Sequence, residues 1–363
     1  MSHTITNTAR RPATSVRLEV ADRFDFLSGE YRELFESADV TAFQNPIWLD
    51  AFYRVLAPGM GAAAVIVTGR DEAGRLCMVL PLIRRRKSAV TLLEAADLGV
   101  SDYVAPVRSP DLVVDDAFQA SLRAILPAHD ILRICKVHAD HTAIWTRLLG
   151  FEPTEADFGS SAASHGPDYK GWRATAMGQS FAKDVDVKAR RFFKKPDAAF
   201  RVLTDRQERA KAVRAIRDVR KGRFEGDPIQ LDPVCDFYTD VAVNGGDYVR
   251  LYALEAEGET VGYTYTTVHG KRLNYFLIGC DYERYRRLSP GYIMYDAMMA
   301  DWAKAGGEVF DFTIGDEPYK ASFGTVRTTM HEFVRGNGWY GKLARAAFDA
   351  RRALNRPKAD TGK

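Results

Sequence analysis

The sequence predicts an α+β protein with two tandem halves, each built on a mixed, mainly antiparallel sheet flanked by helices. The C-terminal half has the clearest pattern, because its strands alternate apolar and polar residues and are separated by glycine-containing turns. A helix and one further strand follow. The N-terminal half shows a similar run of strands before a helix and a strand. The predicted C-terminal elements are strands 248–256, 260–268, 272–280 and 308–314, and the helix 290–305.

Turn residues and helix starts define the elements of the N-terminal half. Asn45-Pro46 begins a helix, since proline is favoured in the first turn. Asp115-Asp116 begins another, with its carboxylates at the end that favours negative charge. Gly150 ends a short helix, as glycine commonly does. The predicted strands are 15–26, 63–68, 76–83, 89–94 and 130–137, and the short helix covers 142–149.

The composition is that of a globular protein. The 363 residues are 46% hydrophobic and 27% charged, and the net charge is only +3, so any preference for anions must come from local clusters. Four widely spaced cysteines without a C-x-x-C pair argue against disulfides and structural zinc, and we expect no metal. Neither a secretory signal nor a bilayer-spanning run is recognisable. We therefore expect a cytoplasmic protein, with peripheral contact at the inner membrane as an alternative.

The stretch GSSAASHGPDYKGW is small, polar and turn-rich, which predicts a boundary between the two halves. We expect an N-terminal domain over residues 15–158, a linker over 159–175 and a C-terminal domain over 176–340. Residues 341–363 are expected to form a basic C-terminal helix and tail.

A candidate anion-binding turn lies at the start of the long helix in the C-terminal half. A helix start leaves backbone N–H groups unpaired and carries partial positive charge. A serine is the expected N-cap residue, a proline follows it and arginines precede it. The residues expected to hold a phosphate-bearing cofactor are Arg286, Arg287, Ser289, Gly291 and Tyr292.

The segment YRRLSPGYIMYDAMMADWAKAGGEVFDFTIGDEPYKASFG resembles the signature block of GNAT-like acyltransferases of the CelD/Fem-type group. The most specific part of this likeness is SPG, a helix, FDF and then G-D-E-x-Y-K. Weaker likeness extends upstream to FQNPIW and SDY. The resemblance implies two tandem GNAT-like halves, an acyl-CoA donor bound in the C-terminal one, and a link to bacterial cell-wall or exopolysaccharide synthesis. It also implies that the strands on either side of the helix splay apart to admit the pantetheine.

The glycine pattern differs from that of ordinary GNAT enzymes. Those carry R/Q-x-x-G-x-G/A, a turn that lets the backbone approach the pyrophosphate. This chain has RLSPGY, with a single glycine, and its proline removes a backbone donor. Another acyl carrier, or an aminoacyl-tRNA, therefore stays an alternative to acetyl-CoA.

Acid–base candidates are concentrated in and after the last strand of this block. Acyl transfer to an amine or hydroxyl needs a base for the nucleophile and an acid for the leaving group. Asp316 or Glu317 is expected to accept a proton, and Tyr319 to donate one. Lys320 is expected to hold an anionic substrate. Asp311, between two phenylalanines, is either a further catalytic residue or a structural, hydrogen-bonded carboxylate.

Three upstream residues are candidates for the substrate cleft: Trp48, Asp102 and Tyr103. Trp48 belongs to a helical apolar face, so it is either a core residue or a wall of the cleft. Asp102 either faces a ligand or caps a turn. The basic run at 84–87 is expected to be a solvated hairpin tip, with phosphate or membrane contact as the alternative.

Three basic segments are candidate contacts for further partners. Residues 183–223 combine lysines, arginines and phenylalanines, and are either a surface that tracks tRNA or a solvated helical linker. Arg352-x-x-x-Arg356 is a candidate contact for a cyclic dinucleotide, although this spacing is common by chance. The basic helix expected over residues 342–356 either docks on the protein or contacts a partner or an anionic membrane surface.

The predicted function is acyl transfer, most simply N-acetyl transfer from acetyl-CoA, to a small or lipid-linked sugar or amino-sugar. One alternative is a Fem-type transferase that uses aminoacyl-tRNA. Another is a degenerate GNAT scaffold that binds a regulatory ligand. The sequence shows no Ser/His/Asp triad, Walker loop or catalytic-cysteine setting, which disfavours nucleophilic and nucleotide hydrolysis.

Overall fold

The computed structural model describes residues 16–355, except the side chains of residues 348, 349 and 351–355. Arg356 and the side chain of Arg352 therefore lie outside the described part, and so does the proposed cyclic-dinucleotide contact. Among the described residues, no helix has the length and apolarity needed to cross a bilayer.

Both halves of the described chain contain strands and helices. The strands are β1 (Arg17–Ala21), β2 (Ala63–Arg70), β3 (Leu76–Lys87), β4 (Val90–Ala95), β5 (Val107–Arg108), β6 (Ile131–His138), β7 (Thr154–Ser164), β8 (Ala199–Leu203), β9 (Val249–Ala256), β10 (Glu259–His269), β11 (Arg272–Cys280), β12 (Val309–Ile314) and β13 (Val326–Gly336). The helices are α1 (Gly29–Ser37), α2 (Pro46–Ala51), α3 (Ala57–Gly59), α4 (Asp116–Ile125), α5 (Thr142–Leu149), α6 (Tyr169–Ala176), α7 (Gln179–Phe192), α8 (Arg206–Arg220), α9 (Asp232–Asn244), α10 (Tyr282–Tyr285), α11 (Pro290–Lys304), α12 (Tyr319–Ser322) and α13 (Gly338–Asn355).

Within residues 16–355, the thirteen strands form one continuous sheet. Its order is β1-β2-β3-β4-β6-β13-β7-β12-β11-β10-β9-β8, and β5 pairs with β3 off this path. The pairs β4–β6 and β11–β12 are parallel, whereas the other neighbours are antiparallel. Each parallel pair is joined through a helical segment, α4 in the N-terminal half and α10 with α11 in the C-terminal half. The predicted α+β class with a mixed, mainly antiparallel sheet is confirmed.

The two halves exchange strands at the centre of the sheet. β7 comes from the N-terminal half, yet it lies beside β12. β13 comes from the C-terminal half, yet it lies beside β6, and β7 and β13 pair with each other. Both halves therefore depend on a strand supplied by the other.

Helices of both halves also share one apolar core. The ring of Trp48 on α2 meets the ring of Phe237 on α9, with centroids 4.8 Å apart. The hydroxyl of Tyr248 donates to the carbonyl of Ala42 at 2.9 Å. Burying such large aromatic rings on both sides of a contact stabilises it through apolar burial and edge-to-face packing. The contact between the halves is thus part of the core.

Two predicted connections have regular structure instead. The expected linker at 159–175 begins inside β7 and ends in α6, so the predicted boundary between residues 158 and 159 falls within a central strand. The expected hairpin tip at 84–87 belongs to β3. There Arg85 pairs with the buried Glu94 on β4, which also pairs with Arg133. The basic region after residue 183 is not a linker either, because α8 contributes to the shared core.

Candidate acyl-transfer site

β11 and β12 pair over only three residues each, and their divergence opens the candidate site. The parallel ladder joins Arg272–Asn274 to Val309–Asp311 and ends there. β12 then bulges: Thr313 has a φ of 56°, and the register with β7 shifts after Asp311. A bulge bends its strand and often lies beside an active site. We call the opening beyond Asn274 and Asp311 the strand gap.

The N-terminal half contains a similar opening. Its parallel ladder joins Leu92–Glu94 to Ile131–Arg133 and then ends. β6 bulges just beyond, at Lys136, whose φ is 58°. Both halves therefore have the same strand geometry, as tandem halves of one fold should.

The strand gap has an aromatic side, formed by tyrosines from three elements. The hydroxyls of Tyr275 on β11 and Tyr295 on α11 lie 2.8 Å apart. The hydroxyl of Tyr295 lies 3.5 Å from that of Tyr319 on α12, and the two rings stack with centroids 5.5 Å apart. Burial raises the pKa of Tyr319 to about 12. Tyr319 therefore keeps its proton at neutral pH and has a proton to donate.

The start of α11 lies close to the aromatic side of the gap. Ser289 stands at the N-cap position with a left-handed φ of 48°, but its side chain caps no helix N–H, so the predicted serine cap is wrong in that respect. A Cβ on Gly291 would lie 2.6 Å from the hydroxyl of Tyr282, which explains the glycine. Arg286 and Arg287 are exposed and form no ion pair with another described residue.

α7 adds further cations next to this helix start. It packs on α11 and on the turn at Arg286–Leu288. Lys188 of α7 lies over the ring of Tyr292, with its ammonium 5.9 Å from the ring centroid. Tyr292 also packs edge-on against Phe181 of α7. The five predicted cofactor residues thus share one turn and the adjoining helix start, with a basic helix beside them.

The other side of the strand gap is polar because β12 alternates. Phe310 and Phe312 face α11, so Asp311 and Thr313 point to the opposite face of the sheet. Asp311 is fully buried, and its carboxylate accepts hydrogen bonds from Tyr103 at 2.9 Å and from Arg272 at 2.8 Å. It also accepts one from the N–H of Thr313. These contacts favour the structural alternative for Asp311 and engage the hydroxyl of Tyr103 in the same network.

Asp102 reaches this polar side from the N-terminal half. Burial raises the pKa of Asp102 to about 6, while the ammonium of Lys136 and the neighbouring hydroxyl of Thr313 pull it down. The carboxylate of Asp97 also raises the pKa of Asp102, and the ammonium of Lys320 lowers it. Asp102 is therefore a carboxyl group that titrates near neutral pH beside the bulge of β12, as an acid–base group requires.

Lys136 holds the loop that carries Asp102. Its ammonium donates to the carboxylate of Asp97 at 2.9 Å and to the carbonyl of Ser101 at 2.8 Å. Burial favours the neutral amine, but the carboxylates of Asp97 and Asp102 outweigh that effect and raise the pKa of Lys136. Lys136 was not among the residues predicted from the sequence. Its local signal is a lysine between two apolar neighbours in a strand that also contains Arg133.

The turn after β12 is held by ion pairs. Lys320 is buried, and its ammonium donates to the carbonyls of Ile314 at 2.8 Å and Gly315 at 3.2 Å and pairs with Glu317. These contacts engage the donors of Lys320 within the turn, and its role in holding an anionic substrate stays a prediction.

Asp316 and Trp48 also have structural partners. Asp316 pairs with Arg327 at 2.6 Å and accepts from the N–H of Gly159, and the hydrogen bond from Arg327 lowers the pKa of Asp316. Trp48 is fully buried and its indole N–H donates to Ser101 at 3.0 Å. Of its two predicted roles, the core role fits this position.

Comparison with known proteins agrees with this geometry. Residues 179–321 match the family profile described as acetyltransferase (GNAT) domain. This part of the chain, which includes β9–β12 and α7–α11, is thus similar to a GNAT acetyltransferase domain. The match includes the strand gap, the start of α11 and Tyr319, so the predicted enzyme class is confirmed. No curated protein matches the sequence.

Solved structures match this chain over about nine tenths of its length. FemX superposes with a TM-score of 0.60 at 12% identity, covering 91% of this chain and 99% of FemX. A conserved protein of unknown function from Bacteroides thetaiotaomicron gives 0.57 at 12%, covering 88% and 99%. The C-terminal domain of a protein named as a lysylphosphatidylglycerol synthetase, from Agrobacterium fabrum, gives 0.53 at 13%, covering 90% and 95%. At such low identity these likenesses establish the shared fold and nothing further.

Proposed function

We propose that the C-terminal half transfers an acyl group from acyl-CoA, most simply acetyl-CoA, to an amine or hydroxyl of a sugar or amino-sugar. The observation that carries this proposal is the strand gap, which opens beside the start of α11. The CelD/Fem-type resemblance of the sequence supports a saccharide acceptor, small or lipid-linked, in bacterial envelope or exopolysaccharide synthesis.

The start of α11 fits the anionic part of such a donor. Its helix start lacks a side-chain cap, and the two exposed arginines before it are free to contact phosphates. The tyrosines of the aromatic side give the gap an apolar lining suited to a pantetheine arm. An acyl-CoA bound there would supply the acyl group as a thioester.

Asp102 and Tyr319 lie on opposite sides of the gap, which suits them to opposite proton transfers. As a carboxylate, Asp102 would take the proton from the acceptor nitrogen or oxygen as its bond to the acyl carbon forms. Tyr319 would donate its hydroxyl proton to the sulfur as the carbon–sulfur bond breaks. In this proposal Asp102 is the base in place of Asp316 or Glu317.

Donor binding tests the proposal directly. We expect acetyl-CoA to bind the purified full chain in calorimetry, and Arg286→Ala combined with Arg287→Ala to weaken it about 10-fold or more, because each lost phosphate contact is a charge-assisted hydrogen bond. The matched control is Arg214→Ala, an exposed arginine of α8. Absence of acyl-CoA binding, together with no acyl transfer to any amino-sugar, would refute the proposal.

A Fem-type aminoacyl transferase is the second candidate, and α7 favours it. The exposed side chains of Lys183, Arg190 and Arg191 extend the positive charge next to the two arginines before α11. Such a surface suits a polyphosphate backbone, and FemX shares the fold. tRNA binding at low salt that weakens in Arg190→Glu with Arg191→Glu would favour this candidate over acyl-CoA.

A further inference from the structure

An exposed apolar surface lies at the start of α13. Trp339 is 79% exposed, Leu343 is 62% exposed and Tyr340 is 37% exposed. Trp339 and Leu343 are four residues apart in one helix, so they lie on the same face. Large apolar side chains gathered in this way on an exposed helix face commonly mark an interaction site.

The opposite face of α13 is firmly packed, so its outward face has a fixed direction. A Cβ on Gly341 would lie 2.1 Å from the carbonyl oxygen of Asp130, and glycine is needed for this close approach. Ala344 packs against the apolar cluster of Leu92, Ile131 and Val334. The exposure of Trp339 and Leu343 is therefore a consequence of how the helix docks on the sheet.

Basic residues border the apolar face. The β3–β4 hairpin lies next to α13, because the carboxylate of Asp130 accepts from the N–H of Thr91 at 2.7 Å while its carbonyl contacts α13. Arg86 and Lys87 at the end of β3 are exposed, as is Lys342 of α13. The segments 84–91 and 336–347 contain no acidic residue.

We propose that this surface, formed by Trp339, Tyr340, Leu343, Lys342 and the Arg86–Lys87 hairpin end, docks on an anionic lipid bilayer. Tryptophan and tyrosine favour the membrane–water interface because their rings are partly apolar and partly polar. Lysine and arginine gain attraction to anionic headgroups. An amphipathic helix with both features binds in the plane of the interface.

The direction of the strands relates this surface to the strand gap. β13 is antiparallel to β7, and β7 is antiparallel to β12, so β12 and β13 run in the same direction. β13 ends at Gly336, just before α13, and β12 ends at Ile314, beside the strand gap. Both strands therefore end toward the same edge of the sheet. A protein docked through α13 would turn that edge toward the membrane, where a lipid-linked acceptor would lie.

Vesicle binding tests the docking without any acyl donor or acceptor, so its outcome is independent of the proposed reaction. We expect the full chain to co-sediment with vesicles that mix phosphatidylglycerol and phosphatidylcholine, and to bind phosphatidylcholine alone far more weakly. Because a screened charge attraction contributes, binding should weaken as salt rises. The tryptophan emission should shift to the blue on binding and lose that shift in Trp339→Phe.

Two double variants test the two parts of the surface. Arg86→Glu with Lys87→Glu should weaken binding to anionic vesicles about 25-fold or more, at about fivefold for each lost attraction. Trp339→Ser with Leu343→Ser should weaken it about 10-fold or more. The matched controls are Lys211→Glu with Arg214→Glu on α8, and the exposed Val113→Ser, which should bind like the wild type.

Three results would overturn the proposal. The first is equal binding to vesicles with and without phosphatidylglycerol. The second is unchanged binding in both double variants, with thermal melts showing that the variants are folded. The third is a concentration-dependent dimer that Trp339→Ser with Leu343→Ser dissociates, with no vesicle binding by the wild type, since a second copy would then cover the surface.

Discussion

Replacing Asp102 by asparagine should stabilise the protein at alkaline pH. The pKa of Asp102 is raised from 3.8 to about 6 in the folded protein, mainly by burial. The folded state therefore binds this proton more tightly than the unfolded state does. The contribution of Asp102 to the free energy of unfolding therefore falls by about 3 kcal/mol as the pH rises from about 4 to about 6, and it stays at the lower level above that range.

Asparagine has no proton to lose in this range, so the difference between the two proteins must depend on pH. The free energy of unfolding of Asp102→Asn should exceed that of the wild type by up to about 3 kcal/mol at pH 8. At pH 4 the two values should be nearly equal. The measurement is urea unfolding of both proteins at pH 4, 6 and 8. A difference that is constant across these pH values would contradict the raised pKa.

Replacing Asp102 by asparagine should lower the activity, although it raises the stability at alkaline pH. If Asp102 is the base, kcat/KM of the wild type rises with pH through an apparent pKa of about 6, and Asp102→Asn lowers kcat about 100-fold or more. Asp97→Asn is the matched control for the loss of a neighbouring carboxylate. It removes the ion-pair partner of Lys136, so it should lower stability at pH 8, whereas Asp102→Asn should raise it. A folded Asp102→Asn variant with wild-type activity would refute the assignment of Asp102 as base.

Three further variants test other parts of the structure. Tyr319→Phe should lower kcat about 100-fold and leave the donor KM nearly unchanged in steady-state assays, because only the proton donor is lost. Lys320→Met should lower the free energy of unfolding by about 2–4 kcal/mol in urea, since it leaves buried carbonyls and Glu317 without their cation. Gly341→Ala should expose α13 to limited proteolysis, because its Cβ would collide with the carbonyl of Asp130.

The predicted C-terminal elements match the structure within a few residues. The strands at 249–256, 259–269 and 272–280 and the helix from Pro290 all follow from alternation and from turn or cap residues, which are local signals. The alternation of β12 also explains which side of the sheet Asp311 faces. A polar residue between two buried phenylalanines must face the other side of the sheet, where Tyr103 and Arg272 satisfy it.

β7 could not be predicted from local signals. The run GSSAAS lacks the branched and aromatic residues that favour strands, and its composition resembles a linker. In the fold it lies between β12 and β13, and a Cβ on Gly159 would lie 2.9 Å from the carbonyl of Thr328. Small residues are therefore suited to a strand enclosed by close neighbours. That requirement comes from tertiary contacts, which no short window of sequence reveals.

The strand exchange explains why the site needs both halves. Asp102 belongs to the N-terminal half, whereas Thr313 and Tyr319 belong to the C-terminal half. Lys136 holds the Asp102 loop from β6, and β6 pairs with β13 of the other half. A C-terminal half expressed alone would lack β7 beside β12 and would lack Asp102, so it would lose a structural strand and the proposed base together. If Asp102 is the base, the N-terminal half is therefore part of the catalytic architecture, whether or not its own opening beyond Glu94 and Arg133 binds a ligand.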